Sequence, residues 1–198
     1  MITICLLRHG ETAYNAEGNK YSGRTDIPLT ERGILQAERM NDLLKEYTFD
    51  YIFSSPLKRA RLTAEIASGA PEKVKIDERL IEIDFGQWEG KTSIDFIKED
   101  PESWQNWLSD PAAFAAGRTG ETGQKVIQRL ENFYNELLDK YDGKTILIVG
   151  HNGINRLFLS QQLGMPLKNY RKIVQENSAL TLITLDKHNG LNLLKLNA

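Results

Sequence analysis

The sequence has little of what would set it apart from ordinary globular proteins. Its 198 residues contain one cysteine, Cys5, so no internal disulfide can form, and its apolar neighbours are typical of a packed, unreactive thiol. Neither charge sign dominates, since 25 Lys and Arg balance 27 Asp and Glu to a net charge of −2. Without a global basic field, we expect no nucleic-acid partner, although a local basic pocket remains allowed.

Long apolar runs are also missing. No stretch reaches the roughly 18 residues of a membrane span, and no leader-like pattern opens the chain. We therefore expect a soluble, cytoplasmic protein with no membrane partner. The sequence contains no Walker loop, no HExxH motif and no clustered carboxylates, so neither a metal ion nor a cofactor is expected.

The length and even composition predict one domain over residues 1–198, with a small lid-like insertion at about 90–119. No internal repeat, linker or low-complexity tract interrupts the chain. The sequence does not reveal the oligomeric state, and a homodimer is compatible with it.

Two apolar stretches carry the strongest signal. Ile2 to Leu7 is rich in β-branched residues and is followed at once by Arg8 and His9. Residues 145–149 form a second such stretch, which ends in Gly-His151. Short apolar runs of this kind predict strands that are buried on both faces. If both strands are central and parallel, the two histidines meet at one edge of the sheet, where open α/β sheets bind ligands.

The other segments alternate between strands and helices, which predicts an α/β fold, a three-layer α/β/α sandwich with a mostly parallel central sheet. Further strands are expected at 51–53, at 74–76 on an edge, and in a terminal hairpin of 179–185 and 191–196. Helices are expected at 30–47, from Ser55 onwards, at 93–108 with an interruption at Pro101, from 121 or 122 onwards, and at 154–163.

Two of these helices carry specific expectations. Thr30 is predicted to cap the first, whose apolar stripe consists of Leu35, Met40, Leu43 and Leu44. Ser55 is predicted to cap the second, with Pro56 at the favoured first helical position.

The second helix brings positive charge to its own N-terminus. Lys58, Arg59 and Arg61 lie in its first turns, where cations oppose the helix dipole unless an anion is near. The alternative for Arg59 is a salt bridge on the helix surface, because Arg61 and Glu65 lie nearby at a spacing that allows pairing. We favour an anion site.

The chemistry of these side chains suits phosphoryl transfer. Arginines such as Arg8 and Arg59 hold nonbridging phosphate oxygens, and a neutral histidine can attack phosphorus. A carboxylate can protonate the leaving alkoxide and later accept a proton from water. A protonated second histidine would add positive charge. Glu82 is the favoured carboxylate, and the acids that compete with it are Glu78, Asp84 and Glu89.

The sequence allows two locations for four aromatic residues. They either line a substrate pocket or belong to the core, and the residues concerned are Trp88, Trp104, Trp107 and Phe114.

Five blocks in order resemble those of the histidine phosphatase superfamily, also called the phosphoglycerate mutase-like family. The similarity covers nearly the whole chain, and five blocks are far more specific than a lone RHG. The blocks are 7–12 (LRHGET), 21–33, 54–64, 79–86 and 149–153.

The resemblance implies a role for each site residue. His9 would be the nucleophile that becomes a phosphohistidine, and Glu82 the acid and base. The phosphoryl group would be bound by Arg8, Arg59 and His151 with help from Asn15, while Ser22 and Gly23 would contact the substrate. Asn152, which is also expected in the substrate pocket, departs from the family, since glycine is common at its position, and this leaves the identity of the substrate open.

The implied function is a metal-independent phosphomonoesterase that acts on a small phosphorylated metabolite. The resemblance is strongest to small bacterial phosphatases of this family, which makes α-ribazole 5′-phosphate one candidate substrate. One alternative is a cofactor-dependent phosphoglycerate mutase, although the short segment at 90–119 favours access of water and hence hydrolysis. An alternative of another class is an inactive phosphoester-binding module, which the retained histidines and arginines disfavour.

Overall fold

The computed structural model describes all residues from 1 to 198 as one mixed sheet covered by helices. The six strands are β1 (Ile2–Arg8), β2 (Tyr51–Ser54), β3 (Val74–Ile76), β4 (Thr145–Gly150), β5 (Leu180–Asp186) and β6 (Gly190–Lys195). Their order is β3-β2-β4-β1-β5-β6. The first four strands in this order are parallel, and β5 and β6 add an antiparallel hairpin next to β1.

Seven α-helices connect and cover these strands. They are α1 (Ala13–Ala16), α2 (Glu31–Leu44), α3 (Lys58–Ser68), α4 (Ser93–Glu99), α5 (Pro101–Ser109), α6 (Gly123–Lys140) and α7 (Asn152–Gln162). Short 3-10 turns occur at Pro71–Lys73, Glu78–Leu80, Gly86–Trp88 and Leu167–Lys172. None of the helices combines the length and the apolar character needed to cross a membrane.

The two-residue period of the strands produces the three layers. In β1, Ile4 and Leu6 point into a large core with α6 and α7. Cys5 and Leu7 point to the opposite face, into a smaller core with α2 and α3. Successive side chains of a strand face opposite sides, so a continuous apolar run is what a sheet covered on both faces requires. The predicted sandwich with its mostly parallel sheet is confirmed.

Several local predictions are also confirmed. The terminal hairpin pairs β5 with β6, and β3 is the edge strand. Thr30 caps α2 by accepting a hydrogen bond from the Gly33 amide at 3.0 Å. The interruption at Pro101 separates two helices. Asp100 caps α5 by accepting a hydrogen bond from the Ser103 amide, and Pro101 occupies the first helical position, which proline tolerates.

Two local predictions are wrong. Helix α3 begins at Lys58 after Leu57, so Ser55 is not its cap and Pro56 lies outside it. The Ser55 hydroxyl contacts a histidine instead, as described below. In α2, Leu35 and Leu43 are exposed, since the helix turns a narrower face to the sheet than the pattern suggested.

A close glycine contact holds the loop after β1 against α2. A Cβ atom on Gly33 would lie 2.2 Å from the Glu11 carbonyl oxygen, and one on Gly10 would lie 2.5 Å from the Gly33 carbonyl oxygen. The loop is fixed further by Thr30, whose amide donates to the Glu11 carbonyl at 2.9 Å. Because His9 directly precedes this loop, the contact also fixes where His9 lies.

Replacing Gly33 by alanine tests this contact. Alanine normally stabilises a helix interior relative to glycine by about 1 kcal/mol. Here its methyl group would overlap backbone that cannot move aside, so we expect a loss of roughly 1–3 kcal/mol in the free energy of unfolding. Urea denaturation measures the loss, and Glu38→Ala on the exposed face of α2 is the control, with a change within about 0.5 kcal/mol. A Gly33→Ala protein as stable as its parent would contradict the packing.

Candidate active site

The register of β1 and β4 brings the two predicted histidines together. Arg8 lies opposite Gly150 at the carboxyl ends of these neighbouring parallel strands, and the His9 amide donates to the Gly150 carbonyl at 3.1 Å. The rings of His9 and His151 are 5.1 Å apart between centroids. The expectation that both histidines emerge at one edge of the sheet is met.

A cavity of about 480 Å³ opens at this edge, which is within the usual range of small-molecule sites. Eight of the nine predicted site residues line it: Arg8, His9, Asn15, Ser22, Gly23, Arg59, Glu82 and Asn152. His151, the ninth, is fully buried beside His9 rather than part of the wall.

His9 has its two ring nitrogens in different surroundings. Nδ1 lies 2.7 Å from the Gly10 carbonyl oxygen. A carbonyl oxygen only accepts, so the proton resides on Nδ1 and Nε2 carries the free lone pair. Burial lowers the pKa of His9 well below 6.5, and the positive charges of Arg59 and Arg8 lower it further. A neutral imidazole with a free Nε2 is the form in which histidine is nucleophilic.

His151 is held by Ser55, a residue whose role the sequence argument assigned wrongly. Ser55 follows β2, and its amide donates to the Val149 carbonyl of β4 at 3.1 Å. Its hydroxyl lies 2.7 Å from Nε2 of His151 and accepts the Leu57 amide at 3.3 Å. Because no other acceptor lies within hydrogen-bond distance of this hydroxyl, its proton is directed at Nε2, which assigns the imidazole proton to Nδ1. Nδ1 is buried and has no hydrogen-bond partner.

The surroundings of His151 disfavour a positive charge on its ring. Burial lowers the pKa of His151 well below 6.5, and the Arg59 guanidinium and the His9 ring lower it further. These surroundings favour the neutral ring in the free protein, so the fixed positive charge of the site comes from the arginines.

Arg8 is one of two arginines at the cavity that have a buried Nε and lack a carboxylate partner. Its guanidinium donates to the Gln175 carbonyl at 3.0 Å, while its buried Nε has no partner. Burial lowers the pKa of Arg8 to about 10, and the nearby positive charge of Arg156 contributes to this shift. The guanidinium has five N–H donors, so most remain available for an anion.

Arg59 is the other of these two arginines and is fully buried, which excludes the surface role that was its alternative. Its two terminal nitrogens donate to the Gly23 carbonyl at 2.7 Å and the Thr25 carbonyl at 2.8 Å. Nε is buried without a partner. Arg61, by contrast, is exposed and pairs with Glu65 at 2.8 Å, as the helix spacing suggested.

Glu82 occupies the N-terminus of α7. Its Oε1 accepts the amides of Ile83 at 2.9 Å and Ile154 at 3.1 Å, and its Oε2 accepts the Gly153 amide at 3.0 Å. A Cβ atom on Gly153 would lie 2.6 Å from Oε1, so the carboxylate fits only against glycine. The backbone of α7 thus holds Glu82 next to the cavity, through amides two and three residues after His151.

The competing acids are separated from Glu82 by geometry. Glu89 is committed to the backbone of Arg24 and Thr25, whose amides it accepts at 2.8 and 2.9 Å. Asp84 accepts the Gly86 amide at 2.9 Å, and Glu78 is exposed in a 3-10 turn. None of these three acids lines the cavity.

Asn15 is oriented by its own capping box. Its Oδ1 accepts the Thr12 amide at 3.1 Å and the Asn177 side chain at 3.3 Å. The Asn15 NH₂ group is therefore free to donate into the cavity. Asn152 offers a second amide there, with a buried Oδ1 that has no partner.

The tryptophans belong to the core. Trp88 and Trp107 are buried, and neither Trp104 nor Phe114 lines the cavity. The aromatic side chains in the cavity wall come from other segments and are Tyr21, Phe85 and Tyr170.

Two arginines in the cavity wall were missed from the sequence. Arg156 lies one helical turn beyond Asn152 on α7, so the helical period could have indicated it. Arg171 lies in a 3-10 turn with no motif around it, and nothing in the sequence pointed to it.

Comparison with known proteins identifies the family of this chain. Residues 4–198 match the model of the histidine phosphatase superfamily (branch 1). The adenosylcobalamin/α-ribazole phosphatase of Escherichia coli K12 is 38% identical over 82% of this chain and 80% of its own length. Phosphoserine phosphatase 1 of Hydrogenobacter thermophilus is 32% identical over 100% of this chain and 92% of its own.

A solved structure is also similar. Phosphoserine phosphatase of Entamoeba histolytica in complex with 3-phosphoglyceric acid has a TM-score of 0.89 and 32% identity, covering 100% of this chain and 98% of its own. Proteins named probable phosphoglycerate mutases match too, at 31–33% identity.

The chain therefore belongs to the histidine phosphatase superfamily. The family match and the phosphatase relatives confirm the predicted class of enzyme, a hydrolase of phosphate monoesters.

The two buried histidines predict a pH-dependent stability. Each has a pKa below 6.5 when folded, so below pH 6.5 the unfolded chain binds protons that the folded chain does not. The free energy of unfolding should then fall with falling pH, by about 1.4 kcal/mol per pH unit for each histidine. Urea denaturation between pH 7.5 and 5 measures this slope.

A matched variant identifies the source of the slope. His9→Gln should remove about half of it, because one of the two buried imidazoles is gone. Carboxylates with shifted pKa values are shifted downwards and titrate below this window. Stability that is constant from pH 7 to 5 would contradict the buried neutral state of both rings.

Proposed function

We propose that this protein removes phosphate from a small phosphate monoester in two steps, through a phosphohistidine at His9. The observation that carries the proposal is a set of buried N–H donors without partners beside a neutral histidine with a free Nε2. The donors belong to Arg8 and Arg59, and the Nδ1 of His151 joins them. Buried polar groups are nearly always satisfied in folded proteins, so such a set is suited to a phosphoryl group.

In the first step, the Nε2 lone pair of His9 attacks phosphorus and the bond to the ester oxygen breaks. The Gly10 carbonyl accepts from Nδ1–H and holds the ring in this tautomer. Arg8 and Arg59 donate to the nonbridging oxygens, whose charge grows in the transition state. His151 donates through Nδ1–H, which needs no proton transfer during the reaction.

Glu82 supplies the proton to the leaving oxygen. A carboxylate has about four lone-pair sites, and backbone amides occupy two on Oε1 and one on Oε2. The remaining site on Oε2 is where the transferred proton is held. In the second step, the deprotonated Glu82 accepts a proton from water as the water attacks the phosphohistidine, which releases inorganic phosphate and restores His9.

Hydrolysis is favoured over mutase chemistry because water can reach the site. The segment 90–119, which we propose as the small insertion of a single domain, packs Phe96 and Trp107 into the core. Ser93 is its only residue in the cavity wall. A segment that is committed to the core and hardly touches the cavity does not shield a phosphohistidine from solvent.

The substrate is proposed to be a small phosphorylated metabolite, since the cavity has a volume of about 480 Å³. The relatives' names make α-ribazole 5′-phosphate and phosphoserine the first two candidates. We propose the cytoplasm as the compartment, which suits the single free thiol of Cys5. The homodimer compatible with the sequence is distinguished from a monomer by sedimentation equilibrium.

Replacing His9 by alanine tests the nucleophile. We expect turnover to fall by at least about a thousandfold, since alanine cannot form the covalent intermediate proposed at His9. Phosphate release from a panel of monoesters, with chelator present, measures the effect. Gln162→Ala, at the far end of α7, is the control and should retain full turnover. A His9→Ala protein within tenfold of the parent would rule out His9 as the nucleophile.

Replacing Glu82 by glutamine tests the acid. The amide cannot protonate a leaving group, so the loss in kcat should be about a hundredfold larger for alkyl phosphates than for nitrophenyl phosphate. The comparison is a plot of log kcat against leaving-group pKa for parent and variant. Equal slowing of both ester types would exclude Glu82 as the proton donor.

A further inference from the structure

The cavity contains more positive charge than a single phosphoryl group needs. Five cationic side chains line it, against the single carboxylate of Glu82, although the protein as a whole carries a net charge of −2. The cations are Arg8, Lys20, Arg59, Arg156 and Arg171. Arg8 and Arg59 belong to the proposed phosphoryl site, and Lys20 is paired with Glu17 at 2.6 Å. Arg156 and Arg171 therefore have neither a role in the proposed phosphoryl site nor an acidic partner.

Arg156 is half-buried and has no carboxylate within ion-pair distance. Its Nε donates to the Asn152 carbonyl at 3.0 Å, and its guanidinium carbon lies 5.1 Å from the centre of the Tyr170 ring. Burial lowers the pKa of Arg156, and the like charge of Arg171 lowers it further. Both guanidinium groups line the same cavity without a carboxylate partner, so an anion bound beside them would stabilise both.

Arg171 is held in place at the rim of the cavity. It donates to the Tyr21 hydroxyl at 2.8 Å, and its guanidinium carbon lies 4.8 Å from the centre of the Trp104 ring. Tyr21 is itself fixed by edge-on contacts with Phe85 and Phe96, with centroids 4.7 and 4.9 Å apart. Because these contacts already order the side chains, little conformational entropy would be lost when they bind a ligand.

We propose that Arg156, Arg171 and Tyr21 form a second anion-binding subsite, which recognises an anionic group on the alcohol part of the substrate. The subsite accounts for the two guanidinium groups without acidic partners, and the Tyr21 O–H remains free to donate alongside them. It rests on the proposed function and narrows it. The substrate is then a phosphate monoester with a carboxylate or a second phosphate, which retains phosphoserine and removes α-ribazole 5′-phosphate from the two candidates named above. A nucleoside monophosphate without a second anionic group gains nothing from this subsite.

Matched substrate pairs test the subsite. 3-Phosphoglycerate and glycerol 3-phosphate differ by a carboxylate in place of a hydroxymethyl group. Fructose 1,6-bisphosphate and fructose 6-phosphate differ by a second phosphate. We expect a kcat/KM at least about tenfold higher for the anionic member of one pair, mainly through KM, since hydrogen bonds to charged groups are the strong ones. The pair that shows the preference identifies the group.

Variants connect the preference to the two arginines. Arg171→Gln and Arg156→Gln should each reduce it at least about fivefold, and Arg171→Lys should restore part of it because the charge returns. Arg39→Gln, an exposed residue of α2 with no partner, removes the same charge and should leave the preference unchanged. No preference in either pair, or one that survives both Gln variants, would overturn the proposal.

A binding measurement keeps this test separate from that of the proposed function. 3-Phosphonopropionate and propylphosphonate are not hydrolysed, and calorimetry gives their dissociation constants with or without turnover. Tighter binding of the carboxylate, lost in Arg171→Gln, supports the subsite even if no ester is hydrolysed. Hydrolysis of nitrophenyl phosphate, together with equal binding of the two phosphonates and no preference in the bisphosphate pair, would reject the subsite and leave the phosphatase intact.

Discussion

The structure depends on burying positive charge without acidic partners. Arg8 and Arg59 are desolvated at the end of the sheet, and backbone carbonyls compensate them instead of carboxylates. Such burial is costly unless hydrogen bonds offset it. The loops that supply these carbonyls are therefore constrained, and the arginines keep most of their N–H donors for a ligand. An acidic partner would have stabilised the fold at the expense of anion binding.

Glu82 connects the helix α7 to the rest of the site. By accepting the amides at the start of α7, it satisfies donors that every helix leaves open, and it fixes the helix that follows His151. The same helix carries Arg156 one turn further on. One backbone segment thus positions His151, the proposed acid Glu82 and an arginine of the proposed second subsite. Ser55 completes this arrangement, because it directs the tautomer of His151 from the end of β2.

Much of the fold followed from local patterns. The continuous apolar runs of β1 and β4 predicted buried strands. Each run is followed by a histidine, so a parallel arrangement predicted that the two histidines meet. Ser55 was misassigned because serine before proline usually indicates a helix cap, whereas tertiary contact with His151 determines its role. The charge state of His151 and the pairing of Arg171 with Tyr21 could not be predicted, since both depend on burial and on residues distant in sequence.

The proposed mechanism requires a covalent intermediate at His9. The most direct measurement is to mix the enzyme rapidly with radiolabelled phosphate monoester, quench in alkali and map the labelled peptide. A neutral His9 with a free Nε2 predicts an acid-labile, alkali-stable phosphate on His9 that forms and decays at rates compatible with turnover. Full turnover with no label on His9, or with label on another residue, would contradict it.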